Sequence, residues 1–363
     1  MSTRFDIPLL YRTLEVEEHE SLRALLRKAR STAFTLPHLV LSVFEQEGVR
    51  LGSGSADELR RARGRAADYA AVVEHVSSEV RVDVMKGPAL ARRYPSGILR
   101  PAGDLDLVVP DEVALWRVAR LVDALAPTTP EVSVSLLGGG PDRHVVASLT
   151  WPAADAVLDR DIRVDISTMA FPGDQAAVPV RAPLPPDPWL ADLLSVTEER
   201  FQRAFTAKDV LDLVVLDDDA PDDLASVVDA AARHRVAPEL AELVSRAASV
   251  VDLRALAPLA GSLAPHAERE LETRAAHGTG PGTDVPRRIA AGVPVYGMPL
   301  RVERRPEREV VAVRRAGDAH LAATPFGDYL LVGSGLVDPL LHESALRELD
   351  RPHRPGAVEG SPS

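Results

Sequence analysis

Val84-Met-Lys-Gly-Pro-Ala-Leu-Ala-Arg-Arg-Tyr-Pro-Ser-Gly-Ile-Leu-Arg-Pro-Ala-Gly-Asp-Leu-Asp-Leu-Val-Val109 is the most informative segment of the chain. Before it, Val80–Met85 alternates apolar and polar as a strand does, and Gly87–Arg93 reads as a short helix. Leu105–Val109 is an apolar strand stopped by Pro110. Asp104 and Asp106 are two residues apart, so on a strand both carboxylates leave from one face. Two like charges so placed need a cation between them, and magnesium suits, since it takes hard oxygen ligands from carboxylates, water and phosphates.

Outward from that stretch, Asp111–Ala126 predicts a helix with acids at its positive end. Glu131–Leu137, His144–Trp151 and Ile162–Thr168 then predict three strands, with a hairpin turn at Gly138–Pro141. Residues 78–170 thus form a β-α-β-α-β-β-β core of α+β class, a mixed sheet with helices. In Ile162-Arg-Val-Asp-Ile166 the apolar residues alternate with Asp165, which puts Asp165 on the polar face as a third acid; Asp155, Asp159 and Asp161 are nearby alternatives. At Lys86-Gly87, a glycine admits close phosphate approach, a helix start offers free N–H groups, and lysine adds charge.

The flanks are helical. Residues 1–77 carry apolar spacings such as Leu22, Leu25, Leu26 and Ala29, broken at Gly48–Ser55, a glycine- and serine-rich stretch read as a loop and not a phosphate cradle. A proline-rich connector leads to a helical region, 189–276, with helices over Trp189–Val215, Pro221–His234, Ala237–Ala257 and Pro265–Ala276. His277–Thr283 reads as a linker, 290–350 as a small β-rich module, and 351–363 as a disordered tail.

Composition excludes much else. The 363 residues suffice for two or three units, and 45% apolar with 26% charged residues is the mix of a folding chain. The absence of cysteine removes disulfides, thiolate metal sites and a cysteine nucleophile, and suits a reducing, cytoplasmic setting. No secretory signal or membrane-spanning run is expected. The net charge of −12 argues against nucleic acid as a general partner, although Arg60–Arg65 and Arg301–Arg315 are locally basic. The ten histidines show no zinc-hydrolase spacing, and no Gly-x-Ser-x-Gly is present. Asp217–Asp219 with Asp222 and Asp223 lacks the spacing of a calcium loop.

The combination of Lys86, Gly87, Tyr94, Pro95, Arg100, Asp104, Leu105 and Asp106 resembles a bacterial family of uncharacterised nucleotidyltransferases within the DNA polymerase beta-like superfamily. Ala207-Lys-Asp-Val-Leu-Asp-Leu213 is similar to a helix that follows that family's core. The resemblance implies a nucleotidyltransferase-type sheet, with Asp104, Asp106 and Asp165 as metal-binding and catalytic residues for Mg2+ or Mn2+. It implies a nucleoside triphosphate as donor and an unspecified acceptor, a hydroxyl or phosphate on a small molecule, peptide or protein. Lys86, Gly87, Arg100 and Lys208 are its implied nucleotide-binding residues. One departure is Gly87-Pro88, where the superfamily has Gly-Ser or Gly-Gly. That departure motivates the alternative of a catalytically inactive binding or regulatory module on the same scaffold, which an Asp165 turned away from the other two acids would favour.

Overall fold

The structure, a computed structural model, describes residues 5–100, 102–138, 142–277 and 282–350. Four helices open the chain: α1 (Ile7–Leu14), α2 (Leu22–Thr32), α3 (Leu36–Gln46) and α4 (Ser53–Ser77). Asp6 and Ser21 cap the first two through their side chains. The break expected over Gly48–Ser55 is shortened to Gly48–Gly52, because α4 already begins at Ser53 and carries Gly54 in its first turn.

The core follows the alternation in the sequence. β1 (Asp83–Met85) leads through α5 (Gly87–Ala91) into β2 (Leu105–Val108), then α6 (Glu112–Leu125), β3 (Glu131–Leu137), β4 (His144–Trp151) and β5 (Ile162–Ser167). β1 runs antiparallel to β2, and β2 runs parallel to β5, the single parallel pairing of the sheet among the described residues. Leu105, Leu107, Val164 and Ile166 point to the side where Trp116, Ala119 and Val122 of α6 and Tyr69, Val72 and Val76 of α4 complete an apolar layer. The alternate residues of β2 and β5 are therefore left on the opposite face. The turn expected at Gly138–Pro141 lies partly outside the described residues, which resume at Asp142.

The helix expected over Trp189–Val215 is two helices. α7 (Pro188–Glu198) ends in a single 3₁₀ turn, Glu199–Phe201, and α8 (Ala207–Asp218) starts afresh. The restart is a capping box in which Thr206 and Asp209 satisfy each other's backbone N–H groups. α9 (Leu224–Arg233), α10 (Ala237–Ala248) and α11 (Leu259–Ala275) follow. Pro265, expected to open the last of these, lies inside it. These helices and α1–α3 share one apolar core, to which Leu9, Leu39, Leu211 and Leu243 all contribute.

After α12 (Val285–Ala290), the C-terminal strands β6 (Val295–Val302), β7 (Ala312–Ala316), β8 (Ala319–Thr324) and β9 (Gly327–Val332) form the expected β module. β6 pairs with β3, so the module continues the same sheet in the order β1-β2-β5-β4-β3-β6-β9-β8-β7. α13 (Pro339–Asp350), which the sequence reading did not anticipate, packs on β6 and β8 and buries Ala345. The tail at 351–363 lies outside the described residues. Among the described residues no helix is long and apolar enough to cross a membrane.

Candidate functional site

Lys86 follows β1 as the residue before α5, with φ +49° and ψ −130°, a conformation that residues bearing a Cβ rarely adopt. Gly87 follows at φ +26°, so two consecutive residues turn the chain sharply from strand to helix. A Cβ at Gly87 would stand 3.5 Å from that of Ala102, an ordinary contact, so the glycine is required by backbone and not by space. Pro88 occupies the first turn of α5, where its missing N–H costs no hydrogen bond.

The three acids converge. Asp106 lies directly opposite Asp165 across the parallel β2–β5 pair, with Asp104 just before β2, and one carboxylate oxygen from each lies within 4.8 Å of the other two. Asp165 is the acid that joins the pair; Asp159 instead accepts a hydrogen bond from Arg61 Nε at 3.0 Å, and the Asp155 side chain closes a local turn on the backbone N–H groups of Val157 and Leu158. Burial, together with the charge of Asp104 and then of Asp165, pushes the Asp106 carboxyl up to about 7 despite the nearby Lys86. Three hard oxygen donors whose mutual repulsion is only partly offset by neighbouring cations suit a divalent cation of the magnesium type. Arg163 Nε donates to Asp165 at 2.8 Å from an exposed position, a partial counter-charge at the rim.

The cations expected to meet phosphate have diverged in role. The Lys86 ammonium donates to Glu199 in the 3₁₀ turn, and Glu199 also pairs with Arg203 at 3.1 Å. Burial draws the Lys86 ammonium down, but Glu199, Asp106 and Asp104 outweigh it and hold its pKa above the ordinary value. Lys208, on the first turn of α8, has no ion-pair partner among the described residues; burial and the charge of Arg100 lower its pKa.

Arg100 has another occupation. Its Nε and Nη2 donate to the two carboxylate oxygens of Asp212 at 2.7 and 2.8 Å, with both side chains about 2% exposed, and Nη1 donates to the Gly87 carbonyl at 3.3 Å. Tyr94 donates to the same carboxylate at 2.6 Å. A guanidinium already neutralised by a buried bidentate partner has little charge to lend a triphosphate. It ties the Lys86–Gly87 turn to α8 while also bordering the cleft.

The three acids, Lys86, Gly87, Arg100, Glu199 and Lys208 line one cleft of about 1030 Å³, bounded by the α2–α3 connection, the β1–α5 turn, the acid strands and the start of α8. Glu199 and Arg203 escaped the sequence reading because a continuous helix over 189–215 would have carried them away from the site. The signal was Thr206 three residues before Asp209, a capping pair in mid-pattern. Phe34 and Arg160 were also missed, and both line the same cleft. No family model, no curated protein and no solved structure matches this chain.

Proposed function

We propose that the chain is a magnesium-dependent nucleotidyltransferase, which moves a nucleoside monophosphate from a nucleoside triphosphate to a hydroxyl or phosphate acceptor. The observation that carries this reading is the meeting of Asp104, Asp106 and Asp165 in a cleft shared with the Lys86–Gly87 turn and Lys208. The order of strand, turn, short helix and acid-bearing strand, with the third acid on a parallel neighbour, supports a nucleotidyltransferase-type core.

Asp104, Asp106 and Asp165 would hold Mg2+ or Mn2+, which when bound supplies positive charge beside the phosphates and the reacting oxygens. Lys208 presents its ammonium to the triphosphate, and Lys86 exchanges Glu199 for a phosphate oxygen. Gly87 leaves the backbone bare where a phosphate approaches the start of α5. Asp165 takes the proton of the acceptor hydroxyl. The acceptor oxygen bonds to the α-phosphorus in line while the bond to the β-phosphate oxygen breaks, and pyrophosphate departs.

A second reading, an inactive binding module on this scaffold, draws on the Lys86–Glu199 pair, which already engages one phosphate-side ammonium. Pyrophosphate release with magnesium, a triphosphate and a panel of hydroxyl and phosphate acceptors separates the two. Transfer predicts release that falls about a hundredfold or more in Asp104→Asn and Asp106→Asn. Triphosphate binding without release across the panel favours the binding module.

A further inference from the structure

The phosphate end of the cleft accounts for the charged part of a triphosphate, and the base needs a different surface. Phe34 is the one aromatic side chain among the described residues that line the cleft. It follows α2 in a short connection whose next residue, Thr35, packs beside Gly103: a Cβ built there would lie 3.7 Å from Thr35 Cγ2. The ring therefore stands on the chain segment adjoining the Asp104 end of the acid strand. His38 meets it edge-on at 5.8 Å and 84°, which fixes its orientation.

Arg160 lies over this ring, its guanidinium carbon 4.0 Å from the centroid. The guanidinium makes no ion pair among the described residues, although Asp159 and Asp161 flank it in sequence. The loop that carries it is tied down from α4. Arg65 donates to the backbone carbonyls of Arg160 and Asp161, and Arg61 pairs with Asp159. A planar cation thus sits against a fixed ring, exposed and on the wall of the cleft.

Resting on the nucleotidyltransferase reading, we infer that Arg160, mounted on Phe34, is the stacking platform for the nucleobase of the donor triphosphate. Stacking reads a flat π-face and not an edge pattern, so the site accepts all four bases. The larger ring system of a purine covers more of the guanidinium, so ATP and GTP bind alike and a few-fold more tightly than UTP or CTP. Arg160 is a specificity residue and takes no part in the transfer chemistry.

The test is calorimetric titration of the full chain, with magnesium, by ATP, GTP, UTP and inorganic tripolyphosphate. The wild type is expected to bind ATP about tenfold more tightly than tripolyphosphate. Arg160→Lys is expected to remove that advantage while tripolyphosphate affinity stays within about twofold, since lysine keeps the charge and loses the plane, and Arg160→Gln, which also loses the charge, is expected to weaken ATP at least as much. Phe34→Leu is expected to follow them. Wild-type ATP affinity retained in Arg160→Lys overturns the proposal, and so does an equal fall for ATP and tripolyphosphate. Equal wild-type affinity for ATP and tripolyphosphate overturns it while leaving the transferase reading intact. A wild type that binds no triphosphate overturns both.

Discussion

Asp106 and Asp165 face each other across the one parallel pairing of the sheet among the described residues, 59 positions apart in the chain and in register on β2 and β5. A parallel neighbour presents its side chain to the same face at the same height, and a crossover helix, α6, is what returns the chain in that sense. The acid pair and the third acid are products of that topology.

Their crowding has a cost in stability that depends on pH. Because Asp106 is held near 7, the folded chain keeps a proton that the unfolded chain releases in the ordinary carboxylate range. Stability therefore falls as pH rises through that window toward 7, and stays low above it. In chelator, Asp106→Asn should raise the unfolding free energy by a few kcal/mol at pH 8, on the order of 1 kcal/mol for each pH unit by which the Asp106 carboxyl is displaced, and by less than half as much at pH 5. Thermal melts at the two pH values check this, and magnesium should raise the melting temperature of the wild type alone.

Asp212 is the keystone of the Arg100–Tyr94 cluster. Replacement by Ala leaves the Arg100 guanidinium buried and uncompensated, and should cost about 3–5 kcal/mol in urea unfolding. Tyr94→Phe removes one hydrogen bond to the same carboxylate and should cost about 1 kcal/mol.

Lys208 should behave in the opposite way. Its ammonium is held in the cleft wall with its pKa lowered by burial, so Lys208→Met is expected to raise stability by about 1 kcal/mol. Triphosphate affinity should fall about tenfold in the same variant. Unfolding and calorimetry on one preparation test both halves.

Gly87→Ala probes the turn without changing any charge. With φ at +26°, alanine should cost about 1–3 kcal/mol, and the strain relaxes by shifting the Lys86–Gly87 backbone. Weaker triphosphate binding should accompany the lost stability, measured by the same titration.

Much of this was legible before any coordinates. The alternation in β2 and β5 places Asp104, Asp106 and Asp165 on the polar face, and the positions of Lys86 and Gly87 at a strand-helix junction follow from local pattern alone. What depends on partners distant in the chain was not. The charge of Arg100 is cancelled by Asp212, 112 residues later, and the pairing of β6 with β3 is set by contacts that no local period encodes. Glu199 and Arg203 were hidden because apolar spacing runs through 189–215 while the backbone restarts at Thr206. Nothing local marks Arg160, because only the fold brings it over Phe34.

The central claim meets its most direct test in calorimetric titration of magnesium–ATP into the wild type and into an Asp104→Asn, Asp106→Asn double variant, each repeated in chelator. The wild type is expected to bind only with magnesium, and the double variant is expected not to bind. Equal binding by both proteins, or binding indifferent to chelator, would contradict the claim.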